Sequence, residues 1–521
     1  MSRPPAAPVL HALKARASRL ERQGDLPGAL EAYRQALAAA PGDPEILASL
    51  AGVAERLDMA EAAEALWRQA RASAPASAEA VDGHARALGV LGRFDEAVSL
   101  LQSVLSADPA DARLWNTLGV TLTRQGRADE ALPFFDEALR LDPRSATAAY
   151  NRASAHFDLE AYEAAEIDFA AARKLARRPA DAAMIDFAAA TLALARGDLA
   201  AGWAGYESRL SPHAPRPVSF EAPGRRWTPN LPLEGRRLLV FAEQGLGDEI
   251  LFASLVPDLL AALGPDGRLS LAMEPRLVRL LARSFPEAEV VAHHTETRDG
   301  RLRRSAPDLA APRAVELWTT LGSLPQRFRR RIADFPAAPP PLRPDPARVA
   351  HWRAWLGDGP PAVGLSWRSG KLGGDRRRHY PPLEAWRPVL REQGIRLVNL
   401  QYGAEVEEVD ALSAIAGRAL MQPPGLDLKA DIDDLAALCA ALPGIVAVNN
   451  ATAQLAGACD APTVMLCGAG AWLTLGQDRY PWRPSVRPVA PKRFGDWSQA
   501  MDGALAKLRE LLAADRRRPA S

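Results

Sequence analysis

Residues Trp115 to Pro143 read WNTLGVTLTRQGRADEALPFFDEALRLDP, and this stretch decides the architecture. Trp115, Leu118 and Gly119 share one amphipathic segment, Ala131, Phe135 and Ala138 a second, and Pro143 closes the pair. Working outward, Pro41, Pro75, Pro109 and Pro143 stand 34 residues apart, and Ala29, Ala63, Ala97, Ala131 and Ala165 keep the same step. Four residues after each alanine comes a large apolar side chain: Tyr33, Trp67, Leu101, Phe135 and Phe169. A period of this length predicts a solenoid of paired antiparallel helices. The alanine lets the second helix approach the first, the following large side chain fills the groove, and proline ends the pair.

The unit built from Trp115, Leu118, Gly119, Ala131, Phe135, Ala138 and Pro143 resembles the tetratricopeptide-repeat (TPR) consensus at each of these positions. The resemblance runs over roughly residues 10 to 177 and weakens in the fifth unit, where Arg177 stands in place of proline. A sixth, irregular pair is expected through GDLAAGWAGYESRL. Stacked repeats create an extended concave surface, so a protein partner is expected there, with Asn116, Arg124, Asn151 and Arg152 as inward-facing candidates.

The 521 residues suggest about three compact units at roughly 150 residues each. With 48% hydrophobic and 24% charged residues the chain can bury substantial cores. Lys+Arg 64 against Asp+Glu 63 leaves a net charge of +1, which gives no overall field for nucleic acid or an anionic membrane. Cys439, Cys459 and Cys467 are odd in number and lack CxxC spacing, arguing against a zinc site or a disulfide framework. There is no apolar leader in MSRPPAAPVLHALKARASRL and no apolar run near the ~20 residues of a membrane span, so no membrane insertion and a cytoplasmic location are expected.

After Tyr206, the stretch SPHAPRPVSFEAPGRRWTPNLPLEG reads as a linker from its proline and glycine content. Beyond it RLLVFAE (Arg237 to Glu243) reads as a buried strand, QGLGD as a loop and EILFASLVPDLLAAL as an amphipathic helix. Further strands are predicted at RLSLAM and EVVAH. Ala337 to Pro346 (AAPPPLRPDP) reads as a semi-rigid connector, and a second lobe follows with strands at AVGLSW, RLVNLQY, GIVAVNN and TVMLCG. The expected layout is α plus α/β: a solenoid over 1–177, an irregular helical pair and linker over 178–226, and two Rossmann-like lobes over 227–336 and 347–521.

Four segments of this half are similar to bacterial glycosyltransferases of the GT-B architecture, near the heptosyltransferases and their TPR-fused relatives. They are EQGLGDEILFASLVP (Glu243 to Pro257), VGLSWRSG (Val363 to Gly370), VNNATAQLAGACDAPTVML (Val448 to Leu466) and GAWLTLGQDRYPWRP (Gly470 to Pro484). The resemblance implies a loop near the acceptor at Gln244, Gly245 and Gly247, and a catalytic base at Asp248. An aspartate just before a helix is also a routine N-cap, so both roles stand for Asp248. Two glycines beside it let backbone approach a ligand closely. TPR-fused members include enzymes that modify bacterial flagellin with nonulosonic acids. The resemblance therefore implies a nucleotide-activated, CMP-linked sugar as co-substrate, no further cofactor, and flagellin as the protein acceptor.

In the second lobe Arg368, Ser369 and Lys371 follow a strand at the edge where ligands of open α/β sheets sit, and cations there suit a departing nucleotide phosphate. Arg376, Arg377 and Arg378 either close over the donor or form a solvated run. Asn449, Asn450, Thr452 and Gln454 stand where a strand turns into a helix, whose free N–H groups and dipole favour phosphate. Relatives carry aspartate and histidine where this chain has Asn449 and Gln454, which leaves the donor sugar open. Gln401 is a candidate contact for the base, and Trp472 and Trp482 read equally as base contacts or core.

GLSWRSGK nearly imitates a P-loop, but its glycine spacing is one residue too long and Leu372 stands where a magnesium-binding hydroxyl is required. Asp431-Ile432-Asp433 forms a DxD, yet precedes a helix instead of ending a strand, so no metal is expected. HExxH, GxSxG and GxGxxG are absent from the sequence. The leading expectation is metal-independent, inverting transfer of a sugar to Ser or Thr of a protein held by the repeats. A UDP-sugar enzyme resembling O-GlcNAc transferases and a non-catalytic TPR adaptor with a degenerate nucleotide-sugar module are the alternatives.

Overall fold

The computed structural model describes residues 7–215, 217–298, 301–370, 379–468 and 470–515. The chain divides into two compact units, Met1–Arg177 and Arg178–Ser521.

In the first unit the described helices form five antiparallel pairs: Ala7–Gln23 with Leu26–Ala39, Pro44–Arg56 with Ala60–Ser73, Ala78–Val90 with Phe94–Ala107, Ala112–Arg124 with Ala128–Leu141, and Ala146–Asp158 with Tyr162–Leu175. The period seen in the sequence is the period of the packing. Ala29, Ala63, Ala97, Ala131 and Ala165 are all fully buried, and Tyr33, Trp67, Leu101, Phe135 and Phe169 are buried beside them. Asp43, Ser77, Asp111 and Ser145 recur at the same step and cap the first helix of the later pairs by accepting from backbone N–H groups of the first turn. Glycine is required where the aromatic residue sits closest: a Cβ on Gly83 would lie 2.3 Å from the Trp67 ring, and one on Gly119 2.7 Å from that of Phe135.

The third repeat departs from the apolar residue of the two repeats beside it. Leu50 and Leu118 are buried, but the corresponding residue of the unit between them is His84, 5% exposed, with Nε2 3.1 Å from Glu64 Oε1. Arg93 also reaches Glu64, at 3.4 Å. Burial holds His84 below the usual imidazole pKa, outweighing the pull of Glu64. A group kept neutral by folding takes up protons more readily when unfolded, so its stabilising share is present above the unfolded value near 6.5 and is lost as pH falls from there through the lower folded value. His84→Leu, which restores the residue type of the neighbouring repeats, should flatten the acid side of the unit's stability profile. Thermal melts between roughly pH 5 and pH 8, a range that brackets the ordinary imidazole value, read this directly.

Among its described residues the second unit carries three sheets. The first lobe has a five-stranded parallel sheet in the order β2 (Arg225–Arg226), β8 (Leu317–Thr320), β3 (Arg237–Phe241), β4 (Arg268–Met273), β5 (Ala288–Ala292). The second lobe has another in the order β10 (Arg396–Asn399), β9 (Ala362–Ser366), β11 (Gly444–Val448), β12 (Thr463–Leu466), β13 (Val486–Val489), again all parallel. Every residue of β9, β11 and β12 is buried, as expected of parallel strands covered on both faces. A small sheet, β1 (Val218–Glu221), β7 (Arg301–Ser305) and β6 (His294–Arg298), flanks the first lobe.

The stretch read as a linker is not one throughout, because it supplies β1 and β2. The prolines and glycines bracket two short edge strands, and β2 pairs only Arg225 and Arg226 with Leu317 and Trp318. The helical pair Pro179–Ala195 and Leu199–Tyr206 belongs to the second unit, where Leu194, Leu199, Trp203 and Tyr206 join the main core. Trp203 is 1% exposed, donates Nε1–H to Arg329 O at 2.8 Å, and meets Phe252 of the first lobe and Trp472 and Trp482 of the second edge-on. A chain cut after Arg177 should therefore yield two folded pieces. A piece starting at Ser211 should aggregate, since losing a buried Trp alone costs about 3–5 kcal/mol; solubility and circular dichroism of the two versions check this.

Candidate functional site

Strand order decides where a ligand fits. From β9 the second sheet grows to β10 on one side and to β11, β12 and β13 on the other. The loops leaving β9 and β11 diverge, and the crevice at their carboxyl ends is the usual ligand position in open α/β sheets. Asn450 ties the two loops together. Its Oδ1 accepts from Ala453 N at 3.0 Å, capping the Ala451–Ala458 helix, while its Nδ2 donates to Ser366 Oγ at 2.8 Å and to Arg368 O at 3.0 Å. Thr452 in the first turn is 1% exposed, and its hydroxyl has no hydrogen-bond partner among the described residues. A buried hydroxyl left unpaired costs about 1–3 kcal/mol. An orphan donor beside a helix start is suited to an anionic oxygen.

The other second-lobe candidates are largely engaged with the protein itself. The Arg368 guanidinium, expected to face a phosphate, binds both oxygens of Glu408, with Nε at 2.6 Å and NH2 at 2.5 Å, and also reaches Gly403 O at 2.6 Å. Those bonds raise the Arg368 pKa; burial opposes ionisation of Glu408, yet the Arg368 hydrogen bonds hold its carboxyl below the usual range. The pair is neutral as a whole, so Arg368 adds no net positive charge to the crevice. Gln401 is 1% exposed; Oε1 accepts from Trp367 N and Arg368 N, each at 2.9 Å, and Nε2 donates to Tyr402 O at 2.9 Å. It shapes the loop after β9, with its amide oxygen and one amide N–H engaged within the protein. Ser369 Oγ lies 3.4 Å from Tyr402 OH. Gln454 donates to Asn449 Oδ1 at 3.0 Å and accepts from Tyr480 OH at 2.8 Å. Lys371 and Arg376, Arg377 and Arg378 lie outside the described residues.

In the first lobe Gly245, not Asp248, takes the N-cap position, and the helix Leu246–Phe252 starts ahead of the aspartate. Asp248 is its third residue and reaches back to accept from Gly245 N at 3.3 Å. The carboxylate thus holds the turn from inside the helix, which corrects the N-cap position, one of the two readings of Asp248. This turn rests on the second lobe: a Cβ on Gly247 would lie 3.5 Å from Ala451 Cα and 3.6 Å from Gln454 Cγ. Burial raises the phenol pKa of Tyr206 and of Tyr480, and the Asp248 carboxylate adds to both. Asp248 and the start of the Ala451–Ala458 helix, more than 200 residues apart in sequence, are brought to one place.

The matching crevice of the first sheet, between β3 and β8, is filled by the chain itself. Arg209 enters it, binding Glu243 Oε1 through Nε at 3.1 Å and NH2 at 2.8 Å, with Thr320 Oγ1 at 3.0 Å and Ser323 Oγ at 3.1 Å around the same NH2. Glu243 Oε1 also accepts from Gly322 N at 3.0 Å. Arg209, Tyr206, Glu408 and Tyr480 were not singled out from the sequence as site residues. Glu243 alone carried a signal, as a charge ending an apolar strand.

Trp482 is core: it is 2% exposed, donates to Leu473 O at 3.0 Å and meets Phe335 edge-on. Trp472 is half-buried against Trp203 and Tyr206. Asp431 stands just before the Ile432–Ala441 helix and accepts from Asp427 N at 3.3 Å, and Asp433 pairs with Arg283. On the repeat unit Asn151 donates to Asn116 Oδ1 at 2.9 Å, linking adjacent repeats, and Arg152 binds Asp168 and Asp136, each at 2.7 Å.

The repeats are tetratricopeptide repeats: two family descriptions of that name match, one at residues 83–146 and 135–182, the other at 10–53. Protein FlbA of Caulobacter vibrioides is 45% identical over 370 residues, which cover 70% of this chain and 62% of that relative. The chain thus spans somewhat under two thirds of the length of the curated relative it matches. Among solved structures, the thermophilic TPR protein TTC0263 of Thermus thermophilus is 20% identical, covering 36% of this chain and 99% of its own, with a TM-score of 0.32. MamA from Desulfovibrio magneticus RS-1 is 19% identical, covering 32% and 94%, with a TM-score of 0.28. Among the described residues no helix is long and apolar enough to cross a membrane.

Thr452→Val keeps the side-chain shape and removes the orphan hydroxyl. It should raise the stability of the free protein by up to about 1–3 kcal/mol, measured as a higher melting temperature by calorimetry.

Proposed function

We propose that the chain is a protein O-glycosyltransferase with a GT-B-like pair of lobes, moving a sugar from a nucleotide-activated donor to Ser or Thr hydroxyls of a protein recruited by the repeats. The observation that carries this reading is the meeting of the Gly245–Asp248 turn with the start of the Ala451–Ala458 helix. One side offers a carboxylate, the other backbone N–H groups, the Asn450 cap and the unpaired Thr452 hydroxyl. The first-lobe crevice is occupied by Arg209, which leaves the β9–β11 crevice for the nucleotide.

In the proposed reaction the acceptor hydroxyl loses its proton to Asp248 as its oxygen attacks the anomeric carbon. The bond from that carbon to the donor phosphate oxygen breaks, and the electron pair leaves with the nucleotide. The helix start and Thr452 stabilise the departing phosphate, with the neutral Arg368–Glu408 pair behind them acting through fixed dipoles. Following the family resemblance, the donor is a CMP-linked nonulosonic acid and the acceptor flagellin; a UDP-linked sugar is the other donor class to test.

A nucleotide-sensing adaptor without transfer is the second reading. It is favoured by Asn449 and Gln454, whose amides bind one another and Tyr480. Asp248→Asn separates the two. Asn at the same position still accepts from Gly245 N, so folding and nucleotide binding should persist while transfer falls at least ~100-fold. Intact-mass analysis of the acceptor after incubation with CMP- and UDP-sugars reads the outcome. Transfer by the Asn variant at the parent rate removes Asp248 as the base, and no transfer by the parent with any donor supports the adaptor.

A further inference from the structure

The Gly245–Asp248 turn is held from a distant part of the chain. Gln244, which leads into it, has φ of +73°, a region that side chains other than glycine rarely occupy. Its amide is bound to the Tyr206 hydroxyl, with Nε2 donating at 2.8 Å and Oε1 accepting at 3.1 Å. Tyr206 is itself 1% exposed and packed against Trp203, Phe252, Phe187 and Trp472. One residue earlier, Glu243 is gripped by Arg209, whose guanidinium lies 4.7 Å from the centre of the Tyr206 ring. Arg209 NH1 also donates to Tyr206 O and Glu207 Oε1, each at 2.9 Å. Two consecutive loop residues are thus fastened by two side chains three positions apart on the segment Tyr206–Arg209.

We propose that Tyr206 and Arg209 are positioning residues for the Gln244–Asp248 loop: they hold Gln244 in its left-handed conformation and so aim the Gly245 N–H that orients the Asp248 carboxylate. The chain of contacts is continuous, from Tyr206 OH to the Gln244 amide, through the Gln244 backbone to Gly245, and from Gly245 N to Asp248 Oδ2 at 3.3 Å. The functional consequence rests on the transferase reading, whereas the restraint on the loop does not. It follows that the short segment after the repeats is a working part of the sugar-transfer unit, not a spacer.

Tyr206→Phe in the full chain keeps the ring and its aromatic contacts and deletes the tether. The expected result is a kcat for transfer lowered about 10- to 100-fold with unchanged KM for the donor, because orientation is lost while binding is not. Amide hydrogen exchange at residues 244–248 should quicken, with the melting temperature and exchange elsewhere unchanged. Gln244→Ala removes the same bond from the other side and should match it. Gln244→Gly, which takes up a positive φ unaided, should recover part of the rate in the Tyr206→Phe background. Parent-like kcat and loop exchange in both tether variants overturn the proposal, as does a general loss of stability with exchange raised throughout the second unit. If the parent transfers no sugar, the transferase reading fails; hydrogen exchange then decides the positioning role by itself.

Discussion

The second unit depends on a guanidinium placed where a ligand of an open α/β sheet would sit. Arg209 enters between the ends of β3 and β8, and its donors are met by Glu243, Glu207, Thr320, Ser323 and a backbone carbonyl. Side-chain exposures of 6% for Arg209 and 4% for Glu243 mean that each has lost its hydration. A buried pair of this kind gains little over apolar residues of the same volume, but removing one member strands the other at a cost of about 3–5 kcal/mol. The pair ties the helical segment before Arg209 to the loop after β3. The asymmetry of the two lobes follows, with Arg209 between the ends of β3 and β8 in the first and the Asn450–Ser366 hydrogen bond between the loops after β9 and β11 in the second.

The helical repeats were legible in the sequence because their contacts are local. Each large side chain packs within its own pair or the next, so the 34-residue step of Ala29 to Ala165 is also the step of the core. The central parallel strands were legible for a related reason: β9, β11 and β12 are buried throughout and read as unbroken apolar runs. β8 and β13 escaped because LWTT and VRPV are short and carry polar residues or proline. β1 and β2 were hidden among prolines whose role is to frame edge strands.

The candidate site divides in the same way. The turn from strand to helix at Asn449 and Asn450 was readable in the sequence, and the structure places Asn450 there as the helix cap. Pairings between side chains far apart in sequence leave no comparable trace. Arg368 looks like a free cation until Glu408, forty residues on, is folded against it, and Gln401 looks available until its amide closes over the β9 loop. Gln244 and Tyr206 are separated by 38 residues and a change of fold class. The chemistry of residue types was readable, whereas which of them remain unspent is a property of tertiary structure.

The packing around Trp203 has an optical consequence. Its indole centre lies 5.9 Å from that of Trp472 and 6.1 Å from that of Trp482, with the ring planes nearly perpendicular. Indoles this close couple their electronic transitions, and the chiral arrangement gives the near-ultraviolet spectrum a signature of the trio that isolated tryptophans lack. Trp203 belongs to the helical pair while Trp472 and Trp482 belong to the second lobe, so a change in their separation alters that signature without any added label. The second unit therefore carries an intrinsic chromophore at the seam between its helical pair and its second lobe.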